Sequence, residues 1–195
     1  MGGSGIMLRS ASLCALAVMM SGCAGLQAAV GSSSASTTAQ PDIAARTKPI
    51  LTLNGLRFKD LNGSSTLEPY EDWRLPANMR ANDLVKRMTL AEKAGTMLIA
   101  TQNPDCDGSI TADGRALIQQ EHMSRFILRA TVATEPADCS VRLTGFRLRG
   151  GYRQTPLQMA RFTNAVQEMR EASRLGIPAL FKDNARNHVE VSPTF

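Results

Sequence analysis

The segment 155–181 constrains the fold more than any other part of this 195-residue chain. Thr155, Pro156 and Gln158 combine a capping box with a proline at the first helical position, which predicts a helix that begins at Pro156. Five residues then recur at spacings of three and four and form one buried stripe. They are Met159, Phe162, Val166, Met169 and Ser173. Gly176 predicts a left-handed stop, and the apolar run after it completes one half-unit of a parallel α/β fold.

Two shorter helices are predicted before this segment. A helical pattern covers residues 80–88, and Thr89 with Glu92 forms a second capping box that predicts a new helix. The apolar run 97–100 is either a buried strand or the end of that helix.

Residues 125–129 form a short apolar run bounded by charge, which is typical of a strand buried on both faces. The stretches 101–114 and 131–153 on either side are rich in turn-forming residues and are predicted loops. Trp73, the only tryptophan of the chain, is expected to pack in the core rather than to stack on a sugar, because a large ring beside apolar neighbours covers much area.

Residues 1–23 are typical of a lipoprotein-type signal peptide. Arg9 precedes an apolar run that is too short to span a bilayer, and small residues lead to Cys23. The end of the segment resembles a bacterial lipobox, in which Cys23 is acylated and anchors the protein to the membrane. The alternative is an ordinary cleaved signal with a chance cysteine. We expect export to the periplasm, or attachment to the outer membrane as a lipoprotein.

Residues 24–48 are predicted to be a flexible tether, because a composition dominated by Ser, Thr, Ala and Gly buries too little apolar surface to become ordered. The folded part is then 49–195. The net charge of +5 comes mainly from scattered arginines, without a basic run interleaved with aromatics, so nucleic acid is excluded as a partner.

Cys106 and Cys139 lie in the two predicted loops. In an oxidising compartment they are candidates for a disulfide that closes a long loop. They are equally compatible with two free thiols, because the sequence does not place their Cβ atoms.

The twelve residues 60–71 match a calcium-binding loop at several positions. Oxygen donors fall where a cation that takes six to eight oxygen ligands requires them. The candidate ligands are Asp60, Asn62, Ser64, the carbonyl oxygen of Thr66, and Glu71. Ser65 stands where the sharp turn favours glycine. The loop is therefore either a calcium site or a polar turn without metal.

Three stretches carry a family resemblance: 58–63, 67–74 and 83–95. They resemble the amino-terminal segment of a glycoside hydrolase family 3 enzyme. The resemblance implies an α/β fold, the amino-terminal part of a (β/α)₈ TIM-type barrel. A full barrel takes about 250 residues, so we expect only its first two or three strands and their helices.

The resemblance also implies an activity. Enzymes of this family are mostly retaining exo-acting β-glucosidases or β-xylosidases, which need two carboxyl groups about 5 Å apart and no cofactor. Neither the Lys-His-Phe nor the Ser-Asp-Trp motif of the family follows His188. We therefore expect a truncated β-glucosidase-like fragment that lacks the catalytic carboxylates. The substrate of the whole enzyme would be a β-glucoside or oligosaccharide.

Asp183 and Asn184 are the candidate substrate-binding residues, because the segment around them is similar to an early family 3 strand that presents an Asp to the terminal sugar. Alternation along a strand lets only one of the two face the barrel mouth. They equally fit an Asx turn at the end of a strand.

A second hypothesis is a non-catalytic envelope lipoprotein. Such a protein would use a partial α/β domain to bind saccharide or calcium without chemistry. Family resemblance alone does not separate the two, because one fold serves many functions.

Overall fold

The computed structural model describes residues 39–145 and 150–182. The predicted signal peptide with Cys23, and the candidate substrate ligands Asp183 and Asn184, lie outside these ranges. Within them, no helix is long and apolar enough to cross a membrane.

An antiparallel hairpin opens the described fold. Strand β1 spans Ile50–Leu53 and strand β2 spans Leu56–Lys59, with Leu53 opposite Leu56. Asn54 and Gly55 both have positive φ, 50° and 79°, as a two-residue hairpin turn of mirror-image type requires. The sequence indicated only an extended segment here, although Asn-Gly is a strong hairpin signal.

Two helices follow the loop 60–76. Helix α1 spans Ala77–Arg87 and helix α2 spans Leu90–Met97. The capping box of Thr89 and Glu92 is confirmed, because the Thr89 hydroxyl accepts the amide of Glu92 and the Glu92 carboxylate accepts the amide of Thr89. The first helix begins three residues earlier than the sequence indicated, directly after Pro76, whose fixed φ suits the start of a helix.

The centre of the fold is a three-stranded parallel sheet in the order β3, β4, β5. Strand β3 spans Ala100–Thr101, β4 spans Arg125–Ile127, and β5 spans Leu180–Lys182. A parallel sheet flanked by helices confirms the predicted α/β class. Phe126 of β4 is 0% exposed and Ile127, on the opposite face, is partly buried, while Arg125, one of the charges that bound the apolar run, is exposed.

Helix α4, which spans Pro156–Glu171, follows the sequence prediction closely. The capping box of Thr155 and Gln158 is present, and Gly176 has a φ of +58° after the helix ends. Helix α3, which spans Ala112–Gln119, was missed, because its capping residue Thr111 lies in a stretch that reads as a loop.

The core lies between the sheet and helices α3 and α4. Its buried members are Ile110, Ile118, Met123, Phe126, Phe162, Val166 and Ala179. A smaller cluster joins Tyr70, Met88 and Leu175. Trp73 is partly buried: its ring stacks on buried Phe58 with centroids 5.5 Å apart, and its indole N–H donates to the carbonyl oxygen of Arg57.

Candidate functional site

A cleft of about 1050 Å³ lies beyond the carboxyl ends of β3 and β4. Parallel α/β sheets bind ligands at this edge, because the loops that follow the strands converge there. The residues that line the cleft come from the loop after β3, the start of α3 and the loop after β4. They are Thr101, Gln102, Asn103, Pro104, Asp105, Thr111, Asp113, Gly114, Leu117, Arg129, Arg142, Leu143, Gly150, Gly151 and Tyr152.

A disulfide joins the two loops that form the cleft. Cys106 belongs to the loop after β3 and Cys139 to the loop after β4, and their Cα atoms lie 5.5 Å apart. Cys106 is buried. The cross-link therefore holds two neighbouring βα loops at a fixed separation at the mouth of the sheet.

Gln154 provides a second connection between the same loops. Its side chain is fully buried, and its amide donates to the carbonyl oxygen of Asp105 at 2.9 Å. Its backbone N–H donates to Thr131 at 2.9 Å, and its carbonyl oxygen accepts from Ala133 at 2.8 Å. Through these bonds Gln154, in the segment before α4, fixes the position of both loops that form the wall of the cleft.

Gln102 is the polar side chain buried most deeply in the cleft. It is 2% exposed, and its backbone N–H continues the sheet by donating to Ile127. Neither its amide nitrogen nor its amide oxygen has a hydrogen-bond partner among the described residues. A Cβ at Gly114 would lie 2.8 Å from the Gln102 amide nitrogen, so only glycine lets α3 approach this group. An unpaired amide of this kind is costly unless a water or ligand satisfies it.

Four charged residues line the cleft. Asp105 accepts the backbone N–H of Cys106 at 2.8 Å, and Asp113 lies in the first turn of α3, where the helix dipole favours a carboxylate. Arg129 donates through Nε to the Thr101 hydroxyl at 3.2 Å. Neither Arg129 nor Arg142 forms an ion pair with a carboxylate in the described part of the chain.

The predicted calcium loop folds around two of its own carboxylates. Asp60 is buried and accepts the backbone N–H groups of Ser64 and Ser65 at 3.0 and 2.9 Å. Glu71 accepts the N–H groups of Leu61 and Glu68 at 2.7 and 3.1 Å. These bonds close the turn.

The other candidate ligands of the loop are also hydrogen-bonded. The side-chain oxygen of Asn62 accepts the N–H of Ser64 at 2.9 Å. The hydroxyl of Ser64 donates to Glu68 at 2.8 Å and lies 3.2 Å from the carbonyl oxygen of Thr66. No group of three or more His, Cys, Asp or Glu side chains in the described ranges is arranged to hold a metal ion. Calcium binding at this loop stays a prediction.

Buried Glu71 and partly buried Glu68 form a carboxyl pair beside Tyr70. Burial raises the pKa of Glu71, and its hydrogen bond with Glu68 raises it further, to about 7. Burial also raises the pKa of Glu68, but hydrogen bonds from Glu71 and Ser64 outweigh it and hold that pKa at about 2. One oxygen of Glu68 is buried without a hydrogen-bond partner among the described residues. Near neutral pH a protonated Glu71 can donate a hydrogen bond to this oxygen of Glu68.

The structure brings some of the predicted site residues together and leaves others apart. The calcium-loop residues are adjacent, and Cys106 and Cys139 are bonded. Strand β5 ends at Lys182, at the same sheet edge as the cleft, and the candidates Asp183 and Asn184 follow it in sequence outside the described residues. Sequence reasoning missed Gln102 and Arg129. The only signal for them was their position directly after short strands.

No protein-family model matches the chain. The chain is 43% identical over 153 residues to a periplasmic beta-glucosidase/beta-xylosidase of Dickeya chrysanthemi. The aligned part covers 78% of this chain and 21% of that relative, so the chain spans about a fifth of the relative's length. The resemblance to glycoside hydrolases of the β-glucosidase type that the sequence motifs indicated is thereby confirmed.

Proposed function

We propose that this chain is the amino-terminal part of an exported retaining exo-glycosidase that removes terminal β-D-glucosyl or β-xylosyl residues. The observation that carries the proposal is the 43% identity to a protein named as a periplasmic beta-glucosidase/beta-xylosidase. The same name supports a periplasmic location. Attachment through acylated Cys23 is part of the proposal and rests on the lipobox-like sequence alone.

The position of the cleft agrees with this function. In (β/α)₈ barrels the substrate lies at the carboxyl ends of the strands, within the loops that follow them. The three parallel strands would be the first of such a barrel, with the disulfide-linked loops forming one side of its mouth. Asp183 or Asn184, directly after β5, would hold hydroxyl groups of the terminal sugar.

The described residues would supply binding rather than bond cleavage. A retaining mechanism needs one carboxylate as nucleophile and a second carboxyl group as acid and then base, about 5 Å apart. The family resemblance assigns both to motifs that are not found in these 195 residues. We therefore expect the chain by itself to bind a sugar weakly and to leave the glycosidic bond intact.

Hydrolysis of 4-nitrophenyl β-D-glucoside and β-D-xyloside tests the proposal. The assay compares the purified 195-residue chain with the product of the same gene extended through any coding sequence beyond Phe195. We expect release of 4-nitrophenol by the extended protein and none by the short chain above a heat-denatured control. Turnover by the short chain would contradict the assignment of its role to binding.

The alternative is a non-catalytic saccharide-binding lipoprotein. The observation that favours it is the cleft itself, which the described residues form with a buried, unpaired Gln102 amide. Binding of glucose or xylose by an extended protein that still fails to hydrolyse either aryl glycoside would select this alternative.

A further inference from the structure

Two arginines and two carboxylates line the cleft without pairing with one another in the described part of the chain. Arg129 and Arg142 are both lining residues, and neither forms an ion pair in the described part of the chain. The two acids in the same wall are engaged locally, Asp105 with the N–H of Cys106 and Asp113 with the first turn of α3. No carboxylate of the described residues pairs with these arginines, so both guanidinium groups are available to an anionic ligand.

Gln102, which also lines the cleft, suits a ligand group that both donates and accepts hydrogen bonds. The Gln102 amide presents both a donor and an acceptor, and neither has a protein partner among the described residues. A pair of neighbouring hydroxyl groups satisfies such an amide, because each hydroxyl both donates and accepts. Tyr152 also lines the cleft and supplies a ring with an apolar face.

We propose that the cleft binds a uronic acid, a sugar that carries a carboxylate beside its hydroxyl groups. Arg129 and Arg142 recognise the carboxylate, and Gln102 recognises hydroxyl groups of the ring. Guanidinium groups suit this role because their planar donors match a carboxylate, and a charge-assisted hydrogen bond is about twice as strong as a neutral one. The inference rests on the proposed function, since it refines which saccharide this part of the glycosidase accepts.

The loop after β4, which carries both arginines, is held to the loop after β3 by the Cys106–Cys139 disulfide and by Gln154. Their arrangement is thus largely set before a ligand arrives, which reduces the entropic cost of binding.

Calorimetric titration of the full 195-residue chain with sodium D-glucuronate, D-glucose and sodium acetate tests the proposal at low ionic strength. We expect glucuronate to bind about tenfold more tightly than glucose, with acetate weaker than both. Raising the salt concentration should reduce the glucuronate preference, because the arginines are exposed to solvent.

Variants separate the two recognition elements. In Arg129→Gln and Arg142→Gln, the ratio of glucuronate to glucose affinity should fall toward one. Arg161→Gln is the matched control, because Arg161 is an exposed arginine of α4 outside the cleft, and it should leave the ratio unchanged. Gln102→Met should weaken both sugars by a similar factor, with circular dichroism verifying that the variant is folded.

The results that would contradict the uronate inference differ from those that would contradict the proposed function. Equal affinity for glucuronate and glucose overturns the uronate inference and leaves the proposed glycosidase function standing. Acetate binding as tight as glucuronate shows a general anion surface and also overturns it, as does the absence of binding by either sugar. The proposed function fails separately, through the absence of aryl glycoside hydrolysis by the extended protein.

Discussion

The carboxyl group of Glu71 accepts the backbone N–H of Glu68 at 3.1 Å, so two carboxyl groups three residues apart lie in one partly buried turn. The pKa of Glu71 is raised to about 7 and that of Glu68 is lowered to about 2. A pair with pKa values driven so far apart holds one proton over a wide pH range.

Stability should therefore fall as the pH rises from about 4.5 through 7. The folded state binds the Glu71 proton more tightly than the unfolded chain does, so raising the pH through this window favours unfolding. The effect is at most about 3 kcal/mol, at 1.36 kcal/mol per pKa unit. Glu68 has the opposite effect on stability. Its stabilising contribution is complete above the pKa of Glu68 in the unfolded chain and is lost as the pH falls toward 2. Urea unfolding at pH 4.5, 5.5, 6.5 and 7.5 measures the slope.

Glu71→Gln is the variant that isolates this proton. The Gln oxygen still accepts a backbone N–H, and its amide group donates to the unpaired oxygen of Glu68. We expect the stability of this variant to be nearly flat between pH 4.5 and 7.5. A slope equal to that of the unsubstituted chain would show that another group carries the dependence.

Glu92 and Arg174 connect α2 to the segment that follows α4. Arg174 donates through Nε to Glu92 at 3.0 Å and through a second nitrogen to the carbonyl oxygen of Arg87, while Glu92 also caps α2 through Thr89. Burial raises the pKa of Glu92, but the hydrogen bond from Arg174 outweighs it and holds that pKa below its usual value.

We expect Glu92→Ala to destabilise the chain by about 2 kcal/mol, because it removes the ion pair together with the half of the capping box in which Glu92 accepts the N–H of Thr89. Arg174→Ala should cost about 1 kcal/mol, because its side chain is half exposed and the cap remains. Lys86→Ala, an exposed residue of α1, serves as the control and should change stability by less than about 0.5 kcal/mol. Thermal unfolding of the three variants tests the order, and equal losses for Glu92→Ala and Lys86→Ala would contradict it.

Local signals in the sequence predicted the elements that local interactions determine. Thr155, Pro156 and Gln158 lie within four residues of one another, and their capping box places the start of α4 correctly. Gly176 likewise has the left-handed conformation that its position after a helix indicated. Each of these features depends on backbone atoms only a few residues away, so one short window contains the whole signal.

The candidate site depends on contacts between distant residues, and the sequence could not place them. Strand β3 has only two residues, too few for a periodicity, and it exists because it pairs with β4, some 25 residues away in sequence. Gln102 and Arg129 reach the same cleft only through that pairing. Gln154 resembles any polar residue of a loop until the fold brings its amide to Asp105.

Reduction of the Cys106–Cys139 disulfide should lower stability by about 3 to 4 kcal/mol. The bond closes a loop with a sequence separation of 33, and the chain-entropy relation gives this magnitude for such a loop. Thermal unfolding with and without dithiothreitol measures it. The double variant Cys106→Ser/Cys139→Ser should unfold at the temperature of the reduced chain and should not respond to dithiothreitol. An unchanged midpoint on reduction of the unsubstituted chain would contradict the prediction.

Gly176→Ala tests the turn that leads from α4 into β5. Gly176 has a φ of +58°, and a Cβ there would lie 2.9 Å from a methyl carbon of Leu61 and 3.1 Å from the Leu61 carbonyl oxygen. The substitution therefore adds a steric cost to the cost of a left-handed alanine, and we expect a loss of about 2 to 3 kcal/mol. Gly145→Ala is matched in φ, also +58°, but a Cβ there meets nothing within 4 Å among the described residues, so it should lose only about 1 kcal/mol. Chemical denaturation of both variants gives the difference. Equal losses would mean that the contact with Leu61 relaxes at no cost, and that backbone strain alone fixes glycine at this position.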